Sequence, residues 1–143
     1  MSEPLTFSVM GVPVPKDRPR FVNRNGRVKA YSAPKSDAYH RQVQMAAWLE
    51  MRGRQKFLGP VAVEARFVFQ PPPSWSEKRR LTALGTAHAQ KPDLDNLLKQ
   101  VLDSMNAVVF GDDASVVKIT ATKQWGPAGL AVVTVKPIDG GAA

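Results

Sequence analysis

Leu94-Asp95-Asn96-Leu97-Leu98-Lys99-Gln100-Val101-Leu102-Asp103-Ser104-Met105 is the stretch on which the fold turns. Leu94, Leu97, Leu98, Val101, Leu102 and Met105 recur at i, i+3, i+4, i+7, i+8 and i+11, which is the apolar stripe of an amphipathic helix. Such a stripe has to be buried, so a second layer must exist. Upstream, Val61, Val63, Ala65, Phe67 and Phe69 alternate with Ala62, Glu64, Arg66 and Val68, the period of a half-buried strand.

Working outward, Leu5 to Val14 reads as a first strand closed by Pro13 and Pro15. Phe21 to Tyr31 reads as a hairpin turning at Asn25-Gly26. Lys35 to Arg52 reads as a helix, with Tyr39, Val43, Ala46, Ala47 and Met51 at helical spacing, Pro34 at its start and Gly53 at its end. Pro71-Pro72-Pro73 stops the Val61 strand. Residues 74–90 read as a mobile insertion holding a short helix, capped by Ser76 and ending at Gly85. After a turn at Phe110-Gly111-Asp112-Asp113, Val117, Ile119 and Ala121 alternate with Lys118, Thr120 and Thr122 as a strand. Gly126-Pro127-Ala128-Gly129 then returns Leu130 to Val135 as the antiparallel partner of that strand. Residues 140–143 read as a frayed tail. The order implies an α+β fold in one domain, 1–143: a small mixed β-sheet with two main helices packed on one face.

The chain has 143 residues, 43% hydrophobic and 22% charged, an ordinary globular composition. Cysteine is absent, which excludes disulfides and thiolate metal sites. No segment has the apolar length of a membrane span or a signal peptide, so a cytoplasmic setting without membrane partners is expected. Twenty Lys and Arg against twelve Asp and Glu leave a net charge of +8, which points to a polyanionic partner, nucleic acid first.

The charges are not mixed evenly. From Lys16 to Arg41 there are eight bases (Lys16, Arg18, Arg20, Arg24, Arg27, Lys29, Lys35, Arg41) and two acids. From Asp93 to Asp113 there are five acids (Asp93, Asp95, Asp103, Asp112, Asp113) and one base, Lys99. A carboxylate cluster repels phosphate unless a cation lies between them, so the pattern points to a metal site within a basic, DNA-binding surface. Each acid also has a plainer reading. Asp93 suits an N-cap, Asp95 and Lys99 are spaced for an exposed ion pair, and Asp112-Asp113 suits a turn. Whether the second acidic pair returns to the helix depends on a reversal that spacing alone leaves open. His40 and His88 are isolated and read as incidental. Tyr31, Trp75 and Trp125 are candidates for base stacking, with core or interface packing the plainer role.

Taken together, Lys91-Pro92-Asp93-Leu94-Asp95-Asn96-Leu97-Leu98-Lys99, Asp103, Gly111-Asp112-Asp113-Ala114-Ser115-Val116-Val117 and Lys123 resemble the signature of the RusA family. These are small endodeoxyribonucleases that resolve Holliday junctions and are often encoded by phages and prophages. Pro13-Val14-Pro15-Lys16-Asp17-Arg18-Pro19-Arg20 and Tyr31 resemble members of that family too. The resemblance implies a homodimer acting on four-way DNA in recombination and repair, with Mg²⁺ (or Mn²⁺ in its place) at the acids. It implies Asp93, Asp95 and Asp113 as the essential metal-holding carboxylates and Lys99 as the essential lysine. Asp112 matches a neighbouring acid, and Lys123 a recurrent lysine at the DNA surface. Lys16, Arg18, Arg20, Arg24 and Arg27 are the expected phosphate contacts. Before the first aspartate this chain has Ala89-Gln90-Lys91-Pro92, where the best-known junction resolvase of the family has a dense arginine run. The alternatives are a non-catalytic basic nucleic-acid-binding module, or a nuclease for flaps and forks.

Overall fold

The computed structural model describes residues 3–17, 20–24, 26–31 and 34–138. Its strands are β1 (Leu5–Met10), β2 (Arg20–Arg24), β3 (Arg27–Tyr31), β4 (Val61–Phe69), β5 (Val116–Trp125) and β6 (Leu130–Pro137). Its helices are α1 (Pro34–Met51), α2 (Glu77–Ala83) and α3 (Leu94–Met105), and a single 3₁₀ turn spans Asp113–Ser115. β2 and β3 form their own antiparallel hairpin, with Gly26 at φ 74° in the turn. The other four strands make one mixed sheet in the order β1-β6-β4-β5. This is the expected α+β architecture.

Register explains why one face of the sheet carries the core. Leu5, Phe7 and Val9 lie opposite Val135, Val133 and Ala131, which in turn lie opposite Val63, Ala65 and Phe67. All nine are buried and share one face, because alternate residues of a strand point the same way. On the other face Ser8, Glu64, Arg66, Thr120 and Thr122 meet solvent, with a Lys136–Glu64 ion pair at 2.9 Å.

α1 buries Tyr39, Val43, Ala47 and Met51, and α3 buries Leu97, Val101 and Met105, each a single stripe turned to that core. The two helices are also joined by polar bonds. Gln100 Nε2 donates to Ser36 O at 2.8 Å, and Ser104 Oγ lies 3.1 Å from His40 Nδ1. Both pairs advance in the same chain direction, so α1 and α3 run parallel. His40 therefore has a structural role at the helix interface.

One expected pairing is wrong. β6 is not the neighbour of β5: β4 lies between them, parallel to β5 and antiparallel to β6. The turn at residues 126–129 carries the chain across β4, with Gly126 N donating to Phe69 O at 2.8 Å. Burial decides the order. β6 is the more apolar strand and takes a central place, whereas β5 carries Lys118, Thr120 and Thr122 and suits an edge. The first strand also ends at Met10, four residues earlier than expected.

Residues 74–90, expected as an insertion with a short helix, hold α2, whose N-cap Ser76 Oγ accepts from Arg79 N at 3.2 Å. The Arg79 guanidinium lies 3.7 Å over the Trp75 ring, and Trp75 meets Trp125 edge-on at 5.1 Å. Trp125 is buried, which is the packing role.

Candidate nuclease site

α3 presents its acids on the face away from the core. Asp93 is the N-cap residue: its carbonyl accepts the first helical bond from Leu97 N at 3.2 Å. Its carboxylate makes no capping hydrogen bond, and instead Lys91 Nζ lies 2.9 Å from Oδ1. The plain capping role therefore does not account for the Asp93 side chain. Asp95, two residues on, and Lys99, one turn beyond Asp95, are both exposed. Among the described residues they form no ion pair within 4 Å, so the plain Asp95–Lys99 surface pair is not made. Asp103, half-buried, is one turn beyond Lys99 on the same face, and Lys16 Nζ reaches its Oδ2 at 3.5 Å. Lys16 N also donates to Asn96 O at 3.0 Å. The basic N-terminal segment thus lies across the acidic helix, although the two are far apart in sequence.

The chain does reverse after α3, but it returns to the C-terminal half of the helix rather than over its start. α3 ends at Asn106, and Ala107 adopts φ 65°, the left-handed conformation that usually falls to glycine. Val108 N and Val109 N both donate to Met105 O at 3.0 Å, and fully buried Phe110 anchors the returning chain beside Phe57. Asn106 Oδ1 then accepts from Asp113 N at 3.2 Å. Ser115 N and Oγ donate to Asp112 O at 3.1 and 2.8 Å.

Asp113 comes within range of the charges of Asp103 and Lys99. Its pKa is raised, first by the hydrogen bond that its protonated carboxyl donates to Asp112, then by desolvation and by the charges of Asp112 and Asp103; Lys99 pulls it the other way. Asp112 and Asp113 thus face each other, and Asp103 and Lys99 act on Asp113 through their charges. Asp95 lies one turn from Lys99 toward the helix start, and Asp93 at that start. Among the described residues, no three carboxylate or imidazole groups converge as a ready-made metal site. The donor chemistry nevertheless suits a hard divalent cation, with carboxylate oxygens and no sulfur. The raised Asp113 is the condition that a bound cation relieves.

A cleft of about 640 Å³ adjoins Asp93, lined by Val12–Pro15 on one side and Lys91, Pro92 and Asn96 on the other, with Lys35 and Asp17 at its margin. Arg18 lies outside the described residues, as do the side chains of Arg20, Arg24 and Arg27 in the β2–β3 hairpin. Lys123 is not turned out to solvent as a free charge. Its Nζ donates to the carbonyls of Gln90 and Pro92, the latter at 2.7 Å. Three residues that sequence reasoning gave no role are Lys91 on Asp93, Asn106 beneath Asp113, and Gln90 on Lys123. A Lys two residues before an N-cap Asp was the one available signal.

The chain matches the family model of the endodeoxyribonuclease RusA over residues 10–136 and belongs to that family. It is also similar to the uncharacterized protein YqaN of Bacillus subtilis (strain 168), 34% identical over 124 residues, which cover 83% of this chain and 86% of YqaN. The chain is thus a member of an endodeoxyribonuclease family. No helix among the described residues is long and apolar enough to cross a membrane.

Proposed function

We propose that the protein is a Mg²⁺-dependent endonuclease that resolves four-way DNA junctions by paired symmetrical nicks, working as a homodimer in the cytoplasm. The observation that carries this reading is the approach of Asp113 to Asp112 and to the charges of Asp103 and Lys99 on α3, in a chain of net charge +8. A pair of carboxylates held against each other beside a lysine, on a basic protein, is a poor phosphate site without a cation and a good one with it.

Asp93, Asp95 and Asp113 are the residues that would hold the cation, with Asp112 beside them. Bound there, Mg²⁺ (or Mn²⁺) supplies Lewis acidity and an activated water. The chain's own groups do the rest. Lys99 presents a fixed ammonium to the charge that develops on the phosphate. Lys16 bridges the basic segment to α3 at Asp103 and Asn96, so that phosphates tracked by the arginines arrive beside the acids. Two copies related by a two-fold axis match a substrate that needs two symmetric cuts.

The test is a synthetic four-way junction incubated with the protein and Mg²⁺, then with chelator, beside flap, fork, duplex and single-stranded controls. Paired, metal-dependent nicks at the junction are the expected result. Binding without cutting leaves only a nucleic-acid-binding module, and preferential cutting of flaps or forks changes the substrate class. The basic segment has its own test. Replacing Arg18 and Arg20 by Ala should weaken binding to all sequences alike and shallow the salt dependence by about one to two in slope. Fluorescence anisotropy across a salt series reads this directly, and an unchanged slope places both arginines away from DNA.

A further inference from the structure

Residues 85–88 lie antiparallel along the outer edge of β5. Gly85 N donates to Trp125 O at 2.8 Å, Trp125 N to Thr86 O at 2.9 Å, and His88 N to Lys123 O at 3.0 Å. His88 is buried, with its ring stacked 3.8 Å from Trp125 and edge-on to Phe69 at 4.9 Å. The chain then leaves β5 for α3 through Ala89, Gln90, Lys91 and Pro92. Gln90 N donates to His88 Nδ1 at 3.1 Å. Beyond that, the loop is held by Lys123, whose ammonium takes the carbonyls of both Gln90 and Pro92. Pro92 is the residue before Asp93.

We propose that Lys123 is a positioning residue: by binding the Gln90 and Pro92 carbonyls it fixes the loop that sets Asp93, and through it the first turn of α3 with Asp95, relative to the sheet. The inference rests on the nuclease reading and replaces the simpler role of Lys123 as a phosphate contact. An ammonium has three donors in a compact head, and two of them are spent on backbone of the same loop. Lys118, on the same strand, is exposed and makes no such bond among the described residues, so the arrangement is particular to Lys123. Asp93 caps α3 through its backbone, its carbonyl accepting from Leu97 N, so the backbone that precedes it helps to set its place. A catalytic group displaced by about 1 Å commonly loses about a hundredfold in rate, and removing the outer support of a metal ligand costs about ten- to a hundredfold.

The experiment compares the full chain with Lys123→Met, Lys123→Arg and the control Lys118→Met. In Lys123→Met, amide hydrogen exchange over residues 90–96 should quicken at least about tenfold, with residues 117–122 of β5 unchanged. Single-turnover nicking should fall about ten- to a hundredfold, and the half-saturating Mg²⁺ concentration should rise. Junction Kd and its salt slope should stay at the parent values, a split that loss of a phosphate contact would not produce. Lys123→Arg, which keeps the charge and donors in a wider head, should fall between, and it carries the test if the Met variant does not fold. Parent-like exchange in residues 90–96 overturns the proposal. So does a loss that lies in Kd, with the salt slope reduced by about one, since that is a DNA contact. A parent that cuts no branched DNA overturns the nuclease reading instead, and the exchange measurement still decides the clamp.

Discussion

Asp95→Asn and Asp113→Asn should each reduce junction nicking by on the order of a thousandfold or more while leaving the fold and junction binding in place. Both side chains are exposed, so neither change opens a cavity or strands a buried charge. Each replaces a charged oxygen donor by a neutral one of the same shape, which is a loss for cation binding and a small gain for phosphate approach. The double variant should be little worse than either single one, because groups that act as one unit do not add. Single-turnover rates with radiolabelled junctions measure the loss, and normal cutting by either variant removes that residue from the metal site.

Asp113→Asn has a second signature. The native Asp113 has its pKa raised, chiefly by the Asp112 carboxyl. A carboxyl raised in the folded state makes its ionised form a burden on the fold above the unfolded pKa, and the burden fades as pH falls through the folded pKa. Near neutral pH the Asn variant should therefore melt at or above the parent temperature, and the difference should close as the solution is acidified through the carboxylate range. Added Mg²⁺ should raise the melting temperature of the parent more than that of the variant, since only the parent binds it well. Calorimetry at two pH values with and without Mg²⁺ reads all of this.

Lys99→Ala should cost on the order of a hundredfold to a thousandfold in the single-turnover rate. A lysine paired with Asp95 on an exposed helix would instead cost about 0.3–0.5 kcal/mol of stability and no activity. The structure favours the first outcome, because the charge of Lys99 acts on Asp113 and no Asp95–Lys99 pair forms. Lys99→Arg should be nearly as slow, since a planar guanidinium does not replace a compact ammonium at a tight site. Melting temperature and junction Kd should stay close to the parent for both. A loss under about fivefold for Lys99→Ala would return this residue to an ordinary surface role.

The parts of the fold that were legible in the sequence are those set by local periodicity. Leu94 to Met105 and Val61 to Phe69 announce their own faces, and the structure places both as expected. Strand partnership was not legible. Gly126-Pro127-Ala128-Gly129 has the composition of a hairpin turn, yet it crosses a strand, because the competition among β4, β5 and β6 is settled by burial across the whole sheet. The acids themselves could be picked out from their density, but not their arrangement. The return of Asp113 depends on Ala107 in a conformation that its side chain does not advertise, and on Phe110 finding a pocket beside Phe57. The role of Lys123 was least legible of all, since its partners are backbone carbonyls, which carry no residue identity.

The order β1-β6-β4-β5 has a consequence for how the molecule is made. Synthesis runs from the N-terminus, and domains fold as units when their strands become available. Here the strand that joins β1 to β4 is β6, the last to emerge, and Leu5 finds Val135 across nearly the whole chain. Contacts of such long separation form slowly, because loop closure must precede their reward. Until Leu130 to Pro137 leaves the ribosome, β1 lacks its sheet neighbour, and the core shared by α1 and α3 stays open along one side. A chain halted before Leu130 holds every acid of the candidate site but lacks the strand that joins β1 to β4 and completes the sheet behind them.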